Sequence, residues 1–262
     1  RTRDELVMDL HAAASVLAPG GALILYGAKD EGIGSSLRRM EGLFRDVDTV
    51  ATGGRCRLVM GTRKEDLPEV ESSHEAWRET VDLDHPDLPG PWVSYPGVFA
   101  HGRLDPATRL LLDTLPSIPE GSRVLGYGSG SGPLAGGIRS RAPGVELHLL
   151  DVDALALEAA RENVPGATLH LRDGLPASDD GPPFDWIVTN PPFHRGKAEE
   201  PGMILELIRR APSVLQPDGA LVLVAQRRLK LESTLRSHFQ ALRIPAQDGT
   251  FRVWEGRGVV PS

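Results

Sequence analysis

A single cysteine, Cys56, occurs in the 262 residues, which excludes an internal disulfide and fits a reducing compartment. A lone thiol of this kind reads as a small hydrophobe rather than a nucleophile. No apolar run approaches the roughly 18 residues that span a bilayer. The longer runs, such as Ala220 to Ala225, are strand-sized. No secretory signal opens the chain. It starts on Arg1 rather than Met, so a fragment of a longer product is expected. Positive charge is in deficit, with 29 Lys and Arg against 36 Asp and Glu and a net charge of −7. That balance excludes blanket electrostatic binding to nucleic acid and leaves any such contact to local clusters. Three clusters qualify: Arg55-Arg57-Arg63-Lys64, Arg195-Lys197 and Arg227-Arg228-Lys230. The eight histidines show no ligand spacing with Cys or carboxylates, so no metal is expected. A cytoplasmic globular protein with no membrane partner is the expectation from these absences, and a monomer is expected.

What is present begins with a repeat. Ser15-Val16-Leu17-Ala18-Pro19-Gly20-Gly21-Ala22-Leu23-Ile24-Leu25 parallels Ser213-Val214-Leu215-Gln216-Pro217-Asp218-Gly219-Ala220-Leu221-Val222-Leu223, at an offset of 198. The same offset sets Ser35-Ser36-Leu37-Arg38 on Ser233-Thr234-Leu235-Arg236. After a small gap, Gly54-Arg55-Cys56-Arg57-Leu58 falls beside Gly249-Thr250-Phe251-Arg252-Val253. Both copies read helix, turn, apolar strand, helix and a closing strand pair. Residues 1–66 are therefore expected to be the back half of a degenerate, non-catalytic copy of the domain at 98–262. Residues 67–97, rich in Pro and acids, read as the crossover between them, with Trp77 and Trp92 as anchors.

In the second domain strands alternate with helices, which implies a mainly parallel, doubly wound α/β sheet. Asp105-Pro106 starts a helix as N-cap and N1 proline. Arg123-Val124-Leu125 leads into a turn with Gly128, Gly130 and Gly132, where backbone can approach a ligand closely. A second strand ends at Asp151, spaced to grip ribose hydroxyls; helix capping is its plainer role. Asp173, past the third strand, could accept from an adenine amino group or serve an Asp-Gly turn with Gly174. The third glycine comes one residue earlier than in the dinucleotide pattern G-x-G-x-x-G. This points to S-adenosylmethionine, which has no phosphate to cradle, and to methyl transfer rather than hydride transfer.

The strand at Trp186-Ile187-Val188-Thr189 runs into Asn190-Pro191-Pro192-Phe193, where two prolines end the ladder at its carboxyl end. Open α/β sheets place ligands at that edge. The Asn190 amide oxygen, the Pro191 carbonyl and the Phe193 ring suit a planar group bearing an exocyclic NH2. Guanine, adenine and a glutamine amide all fit that description. A non-catalytic RNA-binding reading also stays open. His194 reads as a contact or packing residue more readily than as a base.

With these motifs, the chain resembles the bacterial small-subunit rRNA guanine-N2 methyltransferases of the RsmC family. The resemblance rests on Tyr95-Pro96-Gly97-Val98-Phe99 with Gly102-Arg103-Leu104-Asp105, on Asp151-Val152, on Asn190-Pro191-Pro192-Phe193-His194, and on Gly54-Arg55-Cys56. It implies tandem domains, the second binding S-adenosylmethionine, and ribosomal RNA or the small ribosomal subunit as partner. The family's acid at the end of the first strand is replaced by Gly126, which bears on cofactor affinity.

Overall fold

The computed structural model describes residues 2–29, 32–67, 70–191, 194–195, 198–199 and 201–261. It divides into two compact units: residues 1–79 with 95–97, and residues 80–94 with 98–262. The expected crossover is thus shared between them.

In the first unit, helix α1 (Arg3–Val16) starts from a capping box. Thr2 Oγ1 accepts from Glu5 N at 3.2 Å and Glu5 Oε2 accepts from Thr2 N at 2.9 Å. Strand β1 (Ala22–Ala28), helix α2 (Ile33–Met40) and strands β2 (Phe44–Gly53) and β3 (Cys56–Arg63) follow. The strands form an antiparallel sheet of order β1-β3-β2. Leu10, Ala14, Met40, Phe44 and Val59 close its core. A 3-10 turn at His74–Trp77 brings the Trp77 ring edge-on to His11, 5.3 Å between centroids.

Strand β4 (Glu79–Val81), which enters the second unit at Thr80, pairs with the short β5 (Trp92–Ser94), and α3 (Pro106–Asp113) follows. Next come β6 (Arg123–Tyr127), α4 (Pro133–Arg141), β7 (Glu146–Asp151), α5 (Ala154–Asn163), β8 (Thr168–Leu171) and β9 (Phe184–Thr189). The two-residue strands β10 (His194–Arg195) and β11 (Ala198–Glu199) pair with each other. The chain then forms α6 (Pro201–Arg210), β12 (Leu215–Gln226), α7 (Glu232–His238), β13 (Phe239–Arg243) and β14 (Phe251–Val259). The main sheet has the order β13-β14-β12-β9-β6-β7-β8, parallel from β12 to β8 and antiparallel at β14 and β13.

Helices α3, α4 and α5 cover one face of that sheet, with Leu111, Leu112, Leu134, Ile138 and Leu157 in its core. Helices α6 and α7 cover the other through Ile204, Ile208, Leu231 and Leu235. Strand β12 is consequently buried on both sides, each residue from Ala220 to Ala225 at most 1% exposed. This accounts for its unbroken apolar run. The expected doubly wound sheet is what forms.

Strands β1, β2 and β3 repeat the connectivity of β12, β13 and β14. Tyr26 pairs with Leu58 and Gly27 with Arg57, as Val224 pairs with Val253 and Ala225 with Arg252. These are the partners that the sequence offsets of 198 and 195 set on one another.

Among the described residues no helix is long and apolar enough to cross a membrane.

Candidate active site

The chain leaves β6 for β7 and β8 on one side and returns to β9 and β12 on the other. The carboxyl ends of β6 and β9 therefore flank the topological switch point, where such sheets form a crevice. Thr189 Oγ1 donates to the Tyr127 carbonyl at 2.7 Å and ties the two strand ends together. An open cleft at this edge is lined by Gly128 to Ser131, Asp105, Thr108, Phe99 and Asn190, with Trp92 and Ser94 from the amino-terminal strands.

Gly128, Gly130 and Gly132 take φ values of 60°, 55° and 93°, which L side chains rarely adopt. Their surroundings differ. A Cβ on Gly132 would lie 2.9 Å from Val164 Cγ2, so that glycine serves the packing of α4 on α5. A Cβ on Gly130 would meet nothing within 4 Å and would stand in open space. Asp151 Oδ2 accepts the Gly130 N–H at 2.7 Å, and Oδ1 accepts the Asp153 N–H at 3.0 Å. Capping of α5 is done by Asp153, whose Oδ1 accepts from Leu155 N at 2.9 Å. Asp151 is thereby left as the orienting group of the glycine turn. Ser129 Oγ is buried without a hydrogen-bond partner.

The turn is also held from behind by residues the sequence reading did not single out. Asn163 Nδ2 donates to the Ser131 carbonyl at 3.0 Å and the Val93 carbonyl at 2.8 Å, and its Oδ1 accepts from Val93 N at 2.7 Å. Trp92 Nε1 donates to Ser131 Oγ at 3.1 Å. Asn163 closes an ordinary amphipathic helix, and nothing in its sequence context marks it. The expected anchoring role of Trp92 is borne out.

Asn190 is fixed by the start of α3. Asp105 Oδ2 accepts from Thr108 N at 3.0 Å as the N-cap, and the same oxygen accepts from Asn190 Nδ2 at 2.9 Å. Asn190 Nδ2 also donates to Thr108 Oγ1 at 3.0 Å. A carboxylate only accepts, so it fixes which end of the amide faces α3. Asn190 Oδ1 is left buried and without a partner. A buried orphan acceptor costs about 1–3 kcal/mol. Such a group held in place by two bonds on its other end is an acceptor prepared for an incoming donor. Pro191 is buried beside it. Pro192, Phe193 and Lys197 lie outside the described residues, as do the side chains of His194 and Arg195.

Asp173 sits past β8 in an exposed turn, with Gly174 at φ 75°. It does not line the cleft but acts on Tyr127 near the Asp151 side. Burial pushes the Tyr127 phenol above its usual range, and the Asp173 and Asp151 carboxylates add to this while Arg210 opposes it. Phe99 lines the cleft with 62% of its surface exposed, and Ala100 beside it holds a φ of 55°. Among the described residues no group of three His, Cys, Asp or Glu is placed to hold a metal ion.

The chain matches the methyltransferase small domain over residues 91–255. It is 36% identical to ribosomal RNA small subunit methyltransferase C of Pseudomonas aeruginosa (strain LESB58), covering 97% of this chain and 76% of that protein. The chain belongs to the ribosomal RNA small subunit methyltransferase C family. Its Hahella chejuensis (strain KCTC 2396) counterpart is 29% identical over 97% of this chain and 74% of its own length. Among solved structures, the T. thermophilus 16S rRNA N2 methyltransferase (RsmC), in complex with AdoMet and guanosine, superposes with a TM-score of 0.83. It is 26% identical, over 96% of this chain and 68% of that one. The family membership accords with the expected fold of the second domain.

Gly126, where relatives are expected to carry an acid, is enclosed. A Cβ there would lie 3.1 Å from Leu149 Cδ2, so a side chain needs Leu149 to give way.

Proposed function

We propose that this chain transfers a methyl group from S-adenosylmethionine to the exocyclic N2 amine of a guanine in small-subunit ribosomal RNA. The observation that carries the reading is the buried, unpartnered Asn190 Oδ1, held by Asp105 and Thr108 at the switch point.

The residues present fit the cofactor. The open space over Gly130 leaves room against the glycine turn, Ser129 Oγ is an unsatisfied polar group at the same place, and Asp151 stands behind the turn. Gly128, Gly130 and Asp151 would hold it. When bound, S-adenosylmethionine supplies an electrophilic methyl on a good leaving group.

The chain's own part is to prepare the amine. A guanine amine is a poor nucleophile because its lone pair is delocalised into the ring. Asn190 Oδ1 and the Pro191 carbonyl accept its two hydrogens and favour a pyramidal nitrogen with a directed lone pair. These fixed dipoles meet positive charge as it develops on nitrogen without reorganising, because Asp105 and Thr108 already hold the amide. Alignment supplies most of the remaining acceleration. The methylated amine can release its proton to water, so no strong base is required. The proposed stacking partner is Phe193, for a base taken out of its helix.

The first unit is inferred to be a remnant of a second methyltransferase-like domain without catalytic residues. The matching strand registers of the two units support this. The protein is taken to act as a cytoplasmic monomer.

One observation favours a non-catalytic RNA-binding reading instead: a Cβ on Gly126 would lie 3.1 Å from Leu149 Cδ2, so an acid at that position would need Leu149 to shift. Labelled methyl transfer to a 16S rRNA transcript, followed by nucleoside analysis, separates the readings. N2-methylguanosine is expected. N6-methyladenosine, or no product from a sample that binds RNA, would overturn the assignment.

A further inference from the structure

A second concave surface lies on the same edge of the sheet. Strand β12 runs parallel to β9 with Leu223 beside Thr189, and Arg227 N continues its ladder by donating to the Thr250 carbonyl at 2.8 Å. Arg227 therefore stands about three residues beyond the level of Asn190, roughly 10 Å at strand rise. Here the turn after β12, the start of α7 and the start of β14 enclose an open cleft of about 590 Å³. Arg227, Arg228, Lys230, Arg236 and Arg252 line it, against Glu232 as the one carboxylate in its wall.

In a chain of net charge −7 this concentration of cations is uneven. Glu232 is engaged with Arg236 at 2.9 Å. Asp248 is close to Arg227, but its carboxylate takes the N–H groups of Thr250 and Phe251, and these bonds hold its acid well ionised. Four of the cations, Arg227, Arg228, Lys230 and Arg236, are exposed.

A second observation is independent of charge. Trp254, 1% exposed, forms part of the wall, and its Nε1–H is buried without an acceptor. The Arg252 guanidinium lies over its ring, 5.0 Å from the centroid. Several cations in one open groove, with the Trp254 ring in its wall, call for an extended anion rather than a small enclosed molecule.

We propose that this cleft grips the phosphodiester backbone of the substrate RNA beside the base presented to Asn190. The inference rests on the assignment of an RNA substrate given above. Holding phosphates roughly 10 Å from the acceptor loop fixes the strand while one nucleotide is turned out, and phosphate contacts position without reading sequence.

The test is fluorescence anisotropy of the full chain with a labelled single-stranded RNA oligonucleotide, from low to physiological salt. Arg228→Ala/Lys230→Ala is compared with wild type and with Lys230→Arg. Both positions are exposed, and melting curves with S-adenosylmethionine titrations check that fold and cofactor site are intact. The double variant is expected to bind RNA about tenfold more weakly, its log K against log salt shallower by about 0.7 for each phosphate contact removed. Lys230→Arg should match wild type. No RNA binding by the wild type, or an unchanged isotherm and slope in the double variant, overturns the proposal and leaves the patch to a protein partner. If that RNA signature holds but no methyl is transferred, the catalytic assignment fails and this surface stands. If methylation proceeds with the double variant indistinguishable from wild type, the reverse follows.

Discussion

Replacing Asn190 by Ala separates a scaffold role from a chemical one, because two terms of similar size oppose each other in the folded state. The substitution removes two hydrogen bonds, to Asp105 at 2.9 Å and Thr108 at 3.0 Å. One of them is to a carboxylate, and together they are worth about 2–4 kcal/mol. It also removes the buried, unpartnered Oδ1, whose desolvation costs about 1–3 kcal/mol. The net change in stability should lie between about −1 and 3 kcal/mol, a Tm shift of a few degrees for a unit of this size. Activity should respond very differently. Loss of one preorganised polar group at a reacting centre typically lowers kcat by about 10²–10³. The assay is initial-rate transfer of labelled methyl to a 16S rRNA transcript, beside melting curves and calorimetric titration with S-adenosylmethionine. Cofactor affinity should be nearly unchanged. A rate loss under about tenfold, or cofactor binding lost in proportion to activity, would refute the reasoning. Asn190→Asp is the companion variant. It would set a second carboxyl 2.9 Å from Asp105, close enough that one of the pair must keep a proton at neutral pH. Its residual rate should fall as the pH is raised and that shared proton is lost, whereas that of the Ala variant should not.

The remaining expectations concern the cofactor turn and the pH response. Gly130→Ala places a methyl where nothing lies within 4 Å, so its stability cost is the left-handed strain of about 1–2 kcal/mol. If that open space is where the cofactor lies, its Kd should rise more than tenfold by calorimetry, and an unchanged Kd would move the cofactor elsewhere. Asn163→Ala breaks three bonds behind the turn, about 3 kcal/mol at roughly 1 each, so both melting temperature and cofactor affinity should fall. His170, half-buried against the stacked His148 ring, has its pKa lowered first by burial and then by His148, Arg172 and Arg123. The unfolded chain then binds more protons than the folded one, so its contribution is full above the ordinary value of 6.5 and is lost as the pH falls through and below it. Glu146, held low by its hydrogen bond to His148, loses its contribution in a further, more acid step. Melting temperature should therefore decline on acidification below about pH 6.5, and His170→Phe should flatten the first part of that decline.

Much of this architecture is written locally. Helix α5 falls on Ala154–Asn163 and the N-cap of α3 on Asp105, because caps and apolar spacing are short-range properties. The unbroken run Ala220–Ala225 announces a strand covered on both faces. The repeat offset even anticipates which residues pair in the antiparallel pairs β1–β3 and β12–β14, since partners repeat when strand lengths and turns repeat. Spacing also marked the glycine turn, Asp151, Asp173 and Asn190 as carboxyl-edge residues. What pairwise spacing cannot express is who satisfies whom. Asp105 read as an ordinary cap, yet the oxygen that caps α3 also orients Asn190 from 85 residues away. Asn163 read as the end of a helix and proves to clasp the glycine turn to Val93. Trp254 gave no hint of its orphan N–H, nor the scattered Arg236 and Arg252 that they join Arg227 and Lys230. Sequence determined the elements, their order and the edge where chemistry belongs. Only the tertiary structure decided which polar atoms are left without partners, because that depends on every neighbour brought in by the fold.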